Sequence, residues 1–228
     1  MKTQTMTIVI AALVTALAGT AAAQSNDLGL SAEVGTLGLG LHLTMPVQES
    51  LNLRVGASGY NYSYNSSTSD VDYDFKLKLQ TIDALLDWYP MSNSEFRLSA
   101  GFFHNGNKIS AVAKPNSSGN YTINGDTYSS SEVGAINGDI EFRTAVPYLG
   151  LGWGNSASRQ KGWGFTSDLG LIFQGSPSSY LTNSGCTASV QTCTQLIEDL
   201  NVENSNLDSK TNSFRFYPVV RIGLSYSF

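Results

Sequence analysis

The chain is short of charge, of cysteine and of long apolar runs. Asp, Glu, Lys and Arg make up 14% of its 228 residues, and the 13 basic side chains are outnumbered by 18 acidic ones. A net charge of −5 supplies no basic face, which excludes a nucleic-acid binder relying on phosphate contacts. No apolar stretch reaches the roughly 20 residues a membrane helix needs, so a polytopic helical membrane protein is excluded too. Two cysteines and two histidines are too few for a clustered metal site. What is plentiful is glycine, 22 residues, and aromatics, 11% of the chain. That composition disfavours disorder and points to strands.

The first 23 residues read as a cleaved export signal, with a retained helical anchor as the alternative. Lys2 is followed by the short apolar run Ile8–Ala18 and by the small residues Ala21-Ala22-Ala23. Removing them leaves 24–228 as the mature chain, which loses Lys2 and becomes more acidic. An even pair of cysteines in an exported protein predicts a disulfide, here Cys186–Cys193. Metal ligation by the two thiols is the weaker alternative, and no cofactor is indicated.

From there on the signal is period-two alternation. Leu37, Leu39, Leu41, Leu43 and Met45 take every second place, and Leu51, Leu53, Val55 and Ala57 resume after a break at Pro46–Ser50. Ile82, Ala84, Leu86 and Trp88, then Phe96, Leu98, Ala100 and Phe102, continue it, as do Trp163 to Phe173 and Phe214 to Phe228. A soluble sandwich alternates as well, but strands of 9–11 residues or more are long enough to cross a bilayer at a tilt. Trp88, Tyr89, Trp153, Trp163, Tyr226 and Phe228 lie near strand ends, where interfacial aromatic girdles belong. The terminal Arg221-Ile-Gly223-Leu-Ser-Tyr226-Ser-Phe228 has the spacing of an outer-membrane assembly signal.

The expected fold is therefore all-β, an eight-stranded antiparallel transmembrane barrel. Its strands fall near 25–34, 37–46, 51–64, 72–89, 95–113, 138–153, 162–181 and 212–228. The count depends on a hairpin at Gly35-Thr36; a bulge there would leave seven strands, and closure favours an even number. Short turns at Pro46–Ser50, Pro90–Ser94 and Gly154–Lys161 would face the periplasm. Longer loops at Asn65–Val71, Lys114–Asn137 and Thr182–Asn212 would face outward. Within them, Asn124-Gly125 predicts a small hairpin over Tyr121–Tyr128, and Leu196 and Leu200 predict a short helix.

At Gly35-Thr-Leu-Gly-Leu-Gly40, Asp87-Trp-Tyr-Pro90, Pro147-Tyr-Leu-Gly-Leu-Gly152 and the terminal aromatic signal, the chain resembles the small eight-stranded outer-membrane proteins of Gram-negative bacteria. It is most similar there to the carbapenem-associated outer-membrane proteins, described as ornithine-uptake porins. The resemblance implies outer-membrane location and a porin-like passage for small polar solutes. Implied partners are membrane lipid, lipopolysaccharide and the assembly machinery.

Alternation places Glu33, Arg54, Asp83, Asp87, Arg97, Asp168 and Arg221 inside, with His42 nearby. Arg54, Asp87 and Arg97 should form a low layer, with Asp83, Asp168 and Arg221 above it. Three functions compete. One is a narrow channel for small hydrophilic or zwitterionic solutes. Another is a monomeric structural or surface-interaction barrel plugged by ion pairs. The third, an enzyme built on His42 or His104, is not the reading adopted, because no nucleophile motif accompanies either histidine.

Overall fold

The computed structural model describes residues 28–67, 72–157 and 161–228. The expected export signal, residues 1–23, lies outside the described residues, as does part of the 65–71 loop. The alternating segments form strands β1 (Gly29–Gly35), β2 (Gly38–Gln48), β3 (Leu51–Ser67), β4 (Asp72–Trp88), β5 (Phe96–Asn105), β6 (Lys108–Lys114), β7 (Asn120–Ile123), β8 (Asp126–Ser129), β9 (Ala135–Glu141), β10 (Ala145–Trp153), β11 (Gly162–Phe173), β12 (Ser178–Ser184) and β13 (Phe216–Ser227). Helix α1 spans Ser130–Val133 and α2 spans Val190–Thr211.

Eight strands close on themselves in the order β1-β2-β3-β4-β5-β10-β11-β13, every pair antiparallel. Closure pairs both edges of each wall strand, so the barrel itself offers no free edge. Phe228 N–H donates to Leu28 O at 2.9 Å, which brings the two ends of the barrel together. The hairpin rather than the bulge joins β1 to β2. Its turn sits one residue later than expected, at Thr36-Leu37, with Gly35 opposite Gly38. Leu37 is consequently not an outward strand residue but a turn residue folded into the lumen, 1% exposed.

The long strands expected at 95–113, 138–153 and 162–181 are each interrupted. Lys108 faces Lys78 in the register that sets Asn105 opposite Thr81, so β5 and β6 are one strand broken at Gly106-Asn107. There the Asn107 side chain accepts from Gln80 N–H at 2.9 Å, taking the place of a backbone acceptor. β9 and β10 likewise keep one register against β6 and β5. Between β11 and β12 the register shifts by one residue around Gly175, whose φ of 70° suits a residue without a Cβ.

The consequence is an asymmetric wall. β13, β1 and β2 stop at the barrel rim, whereas β3-β4-β6-β9-β12 rises beyond it as a curved sheet. The expected small hairpin is present as β7-β8, with Asn124 (φ 51°) and Gly125 (φ 91°) in its turn. Helix α2 is longer than its two leucines suggested and packs against β12. Hairpin, helix and sheet share their own apolar core of Tyr121, Ile123, Tyr128, Val133, Ile136, Leu196 and Leu200. The expected outer loops are thus a folded module rather than open connections.

The disulfide Cys186–Cys193 ties the end of β12 to the first turns of α2, across a Cα–Cα distance of 6.1 Å. Its closed loop is short, so breaking it should cost about 2–3 kcal/mol, felt by the module alone. Reduction is therefore expected to speed proteolysis within 182–212 while the barrel's heat-modifiable migration in gels stays unchanged.

Candidate functional site

Inward positions along the barrel are filled from both signs of charge and then sealed by apolar side chains. Glu33 on β1, His42 on β2, Arg54 on β3, Asp83 and Asp87 on β4, Arg97 on β5, Asp168 on β11 and Arg221 on β13 all point into the lumen. None is more than 5% exposed. Arg54 lies at the centre of this set. Its NH1 donates to Asp168 Oδ2 at 2.7 Å and its NH2 to Asp168 Oδ1 at 3.0 Å and Asp87 Oδ1 at 3.1 Å. Its Nε is 2.8 Å from Asp87 Oδ2, and Glu33 Oε1 is 3.8 Å away.

Arg97 reaches Asp168 Oδ1 at 2.9 Å, Thr166 Oγ1 at 3.1 Å and the Gly154 carbonyl. Ser99 Oγ donates to Asp87 at 2.6 Å. Above, His42 lies between Glu33 (Nδ1–Oε2 3.3 Å) and Asp83 (Nε2–Oδ1 3.1 Å), and Arg221 NH1 is 2.9 Å from Nε2. Arg221 also reaches Glu33 at 3.4 Å and Asp168 at 3.4 Å.

The two layers expected from strand position are therefore one network. Asp168, assigned to the upper layer by counting residues, bonds Arg54 and Arg97 below as well as Arg221. An arginine side chain spans more than one strand residue of height, so Cβ levels do not decide which groups meet. Tyr89 departs from its expected place too. It is turned inward rather than to an outer girdle, and its hydroxyl donates to the Gly154 carbonyl at 3.2 Å.

Glycines make the network possible. A Cβ at Gly56 would fall 2.1 Å from the His42 ring, one at Gly152 3.0 Å from the Arg97 guanidinium, and one at Gly223 2.7 Å from Glu33 Cγ. Gly150 and Gly170 leave the same kind of room for Tyr148. All five stand at inward positions of the alternation. A large residue beside an inward glycine is the pattern that marks a filled small barrel.

Beyond the charged network lies an apolar layer of Leu37, Leu85, Phe103, Val146, Tyr148, Ile172 and Val219, none more than 1% exposed. Arg221 joins the two layers, its guanidinium carbon 6.0 Å from the centre of the Phe103 ring. The lumen thus holds two layers of side chains, one of paired charge and one of packed hydrocarbon.

The two histidines occupy opposite sides of the wall. The Nε2 partners of His42 are Asp83 and Arg221, with no serine among them. His104 faces away from the lumen, opposite Ala145 and Ile82.

On the outside, Leu39, Leu41, Phe102, Leu149, Phe165, Leu169, Ile222 and Leu224 are exposed, forming an apolar belt. At the end where Phe228 meets Leu28, Trp163 packs edge-on against Tyr226, Tyr226 on Phe228, and Phe96 on Trp153. At the other end Phe173 packs on Phe216. Tyr226 and Phe216 are ten residues apart on β13, which at about 3.3 Å per residue and a tilt near 40° is roughly 25 Å of height, the span of a bilayer's apolar band.

In the module, Asp199 is the acid of α2 that is buried among its apolar residues. It accepts from the Tyr128 hydroxyl and from Asn124 Nδ2 at 3.0 Å, docking the hairpin on the helix. Its place between Leu196 and Leu200, on the apolar face of the helix, is what distinguishes it in the sequence from the other acids of this segment. The bond from Tyr128, and then that from Asn124, holds its carboxyl below the usual aspartate range. A depressed pKa stabilises the docked form above about pH 4 and loses that stabilisation as pH falls through the lowered value. Protection of the 120–129 amides, taken relative to their intrinsic exchange rate at each pH, is thus expected to be unchanged from pH 7 to 5 and to fall below about pH 4. Tyr128→Phe should move that onset upward.

No family model and no curated protein matches the chain. Two crystal structures share its architecture, both of Acinetobacter baumannii proteins, CarO and CarO2. CarO, a carbapenem-associated outer-membrane protein, is 20% identical with a TM-score of 0.54, the match covering 88% of this chain and 97% of CarO. CarO2 is 20% identical with a TM-score of 0.56 over 88% of this chain and 98% of its own. The likeness is one of fold.

Proposed function

We propose that this protein is a sealed, monomeric outer-membrane barrel that holds a folded module at the cell surface, rather than an open channel. The observation that carries the reading is the double closure: eight ionisable side chains at 5% exposure or less, topped by an apolar layer at 1% or less. An open polar path needs neither. Outer-membrane residence is supported by the apolar belt with aromatic rims, by the joined termini and by the shared fold with CarO. In this setting the module faces outward to lipopolysaccharide or external surfaces, and Tyr226 and Phe228 serve the assembly machinery. Deleting Phe228 is expected to lower the folded, heat-modifiable fraction in outer membranes.

In planar bilayers the intact protein is expected to show no steady conductance. Regular single-channel steps would overturn the sealed reading. A second reading, slow passage of small zwitterions such as basic amino acids, draws on one specific feature: the buried hydroxyls of Thr44, Ser58 and Thr81 have no hydrogen-bond partner among the described residues. Those groups and the mixed charges would line a path if the network parted. Saturable uptake of a basic amino acid into proteoliposomes, without conductance steps, would favour it.

A further inference from the structure

The module holds a cavity that neither the barrel nor the sealed-lumen reading uses. It measures about 310 Å³ and lies between the inner face of the raised sheet, the hairpin and α2. On the floor, Ala111 of β6 faces Gly138 of β9, with Ala113 next along the same face. These small residues leave the space open between Ile109 and Leu181. Leu200 and Leu207 of α2 close the opposite side. An empty apolar volume forfeits the contacts that larger side chains would make there, so a core built for stability alone would be filled. A volume near 300 Å³ is at the small end of ligand sites.

Two polar groups mark this space as more than a packing defect. Tyr121 lines it, is 5% exposed as a residue, and its hydroxyl, which keeps some access to solvent, makes no hydrogen bond among the described residues. Partial burial pushes that hydroxyl's ionisation up. A free hydroxyl on the wall of an apolar pocket is a polar contact open to a ligand. Glu203 lines the same cavity, half-buried, with no cationic partner among the described residues.

We propose that this cavity is a binding site for a small hydrophobic amine: an apolar body between the sheet and α2, a nitrogen at Glu203, and a hydrogen bond with Tyr121. The carboxylate sets the sign, so an anionic amphiphile of equal size binds more weakly. The inference goes beyond the sealed-barrel reading and stands whether or not the lumen conducts.

The test uses the full mature protein in lipid nanodiscs, titrated with the fluorescent probe aminoanthracene, with empty nanodiscs subtracted. The expected result is one saturable site from which dodecylamine displaces the probe better than dodecanoate does. Ala111→Phe should weaken probe binding by about tenfold or more, because the ring takes the ligand's volume. Gly138→Val fills the same space with a smaller group, whose contact with the end of the Leu181 side chain at 3.0 Å is one a flexible neighbour can relieve. Glu203→Gln should keep probe binding and erase the preference for the amine. Heat-modifiable migration and an intact Cys186–Cys193 bond verify folding of each variant. No saturable signal above empty nanodiscs, or equal binding by the wild type and both filled variants, overturns the site. Equal displacement by dodecanoate overturns its assignment to amines.

Discussion

Replacing Arg54 by alanine is expected to destabilise the barrel by about 3–5 kcal/mol, the cost of leaving buried carboxylates without their partner. Among the described residues, Arg54 is the only cation that touches both Asp87 and Asp168 within 3.1 Å. Without it Asp87 retains Ser99 and a distant Arg97 at 3.8 Å. Four carboxylates would then face two guanidiniums and His42 in a space that excludes water. The proper comparison is Lys108, which pairs with Asp139 at 3.1 Å and Glu141 at 2.9 Å on the open face of the raised sheet. Exposed pairs contribute about 0–1 kcal/mol, so Lys108→Ala should be near neutral. Urea unfolding in detergent, read by the loss of heat-modifiable migration, measures both. Equal midpoints for the two variants would show that the lumen network does not hold the barrel together.

Tyr148→Ala should be about as costly, about 3–5 kcal/mol, the range for removing a buried aromatic ring. The ring lies over Gly150 and Gly170 and packs 5.3 Å from Phe103, so its removal leaves a cavity that no neighbour can fill. Its effect on flow is the sharper test. The apolar layer and the charged network lie in series, and loss of one leaves the other closed. Tyr148→Ala alone is therefore expected to conduct no better than the wild type. Arg97→Ala removes a guanidinium that bonds Asp168, Thr166 and the Gly154 carbonyl. Combined with Tyr148→Ala, it should give measurable, fluctuating conductance. A leak in Tyr148→Ala by itself would mean that the charged network does not seal.

Much of this architecture was legible in advance because a strand's side chains alternate with a period of two. Once Ile82 and Leu86 face out of the barrel, Asp83 and Asp87 have to face inward, whatever their partners. Turn chemistry marks the hairpin at Asn124-Gly125, where two consecutive left-handed residues are needed. The even number of cysteines in an exported chain pairs Cys186 with Cys193. Local rules suffice for each of these, since each depends on residues within a few positions.

What the residues alone could not settle is everything that depends on reach across space. The facing of Asp168 follows from alternation, but its bonds to Arg54, Arg97 and Arg221 join four strands and exist only once the barrel has closed. Leu37 shows the same limit at a single residue. Its pattern is that of an outward strand position, yet β1 is short, and the turn it occupies folds over the lumen beneath the raised sheet. The loops after β6 and β12 carry no periodicity long enough to announce a shared core. Tyr121 and Leu200 meet because β6, β9 and β12 continue past the rim in registers set inside the membrane-height wall. Alternation therefore determined which side of the wall each side chain takes, a property of the strand itself. Which of them touch, and what the touching seals or leaves open, was decided by closure and packing, because those distances are fixed only by the whole chain.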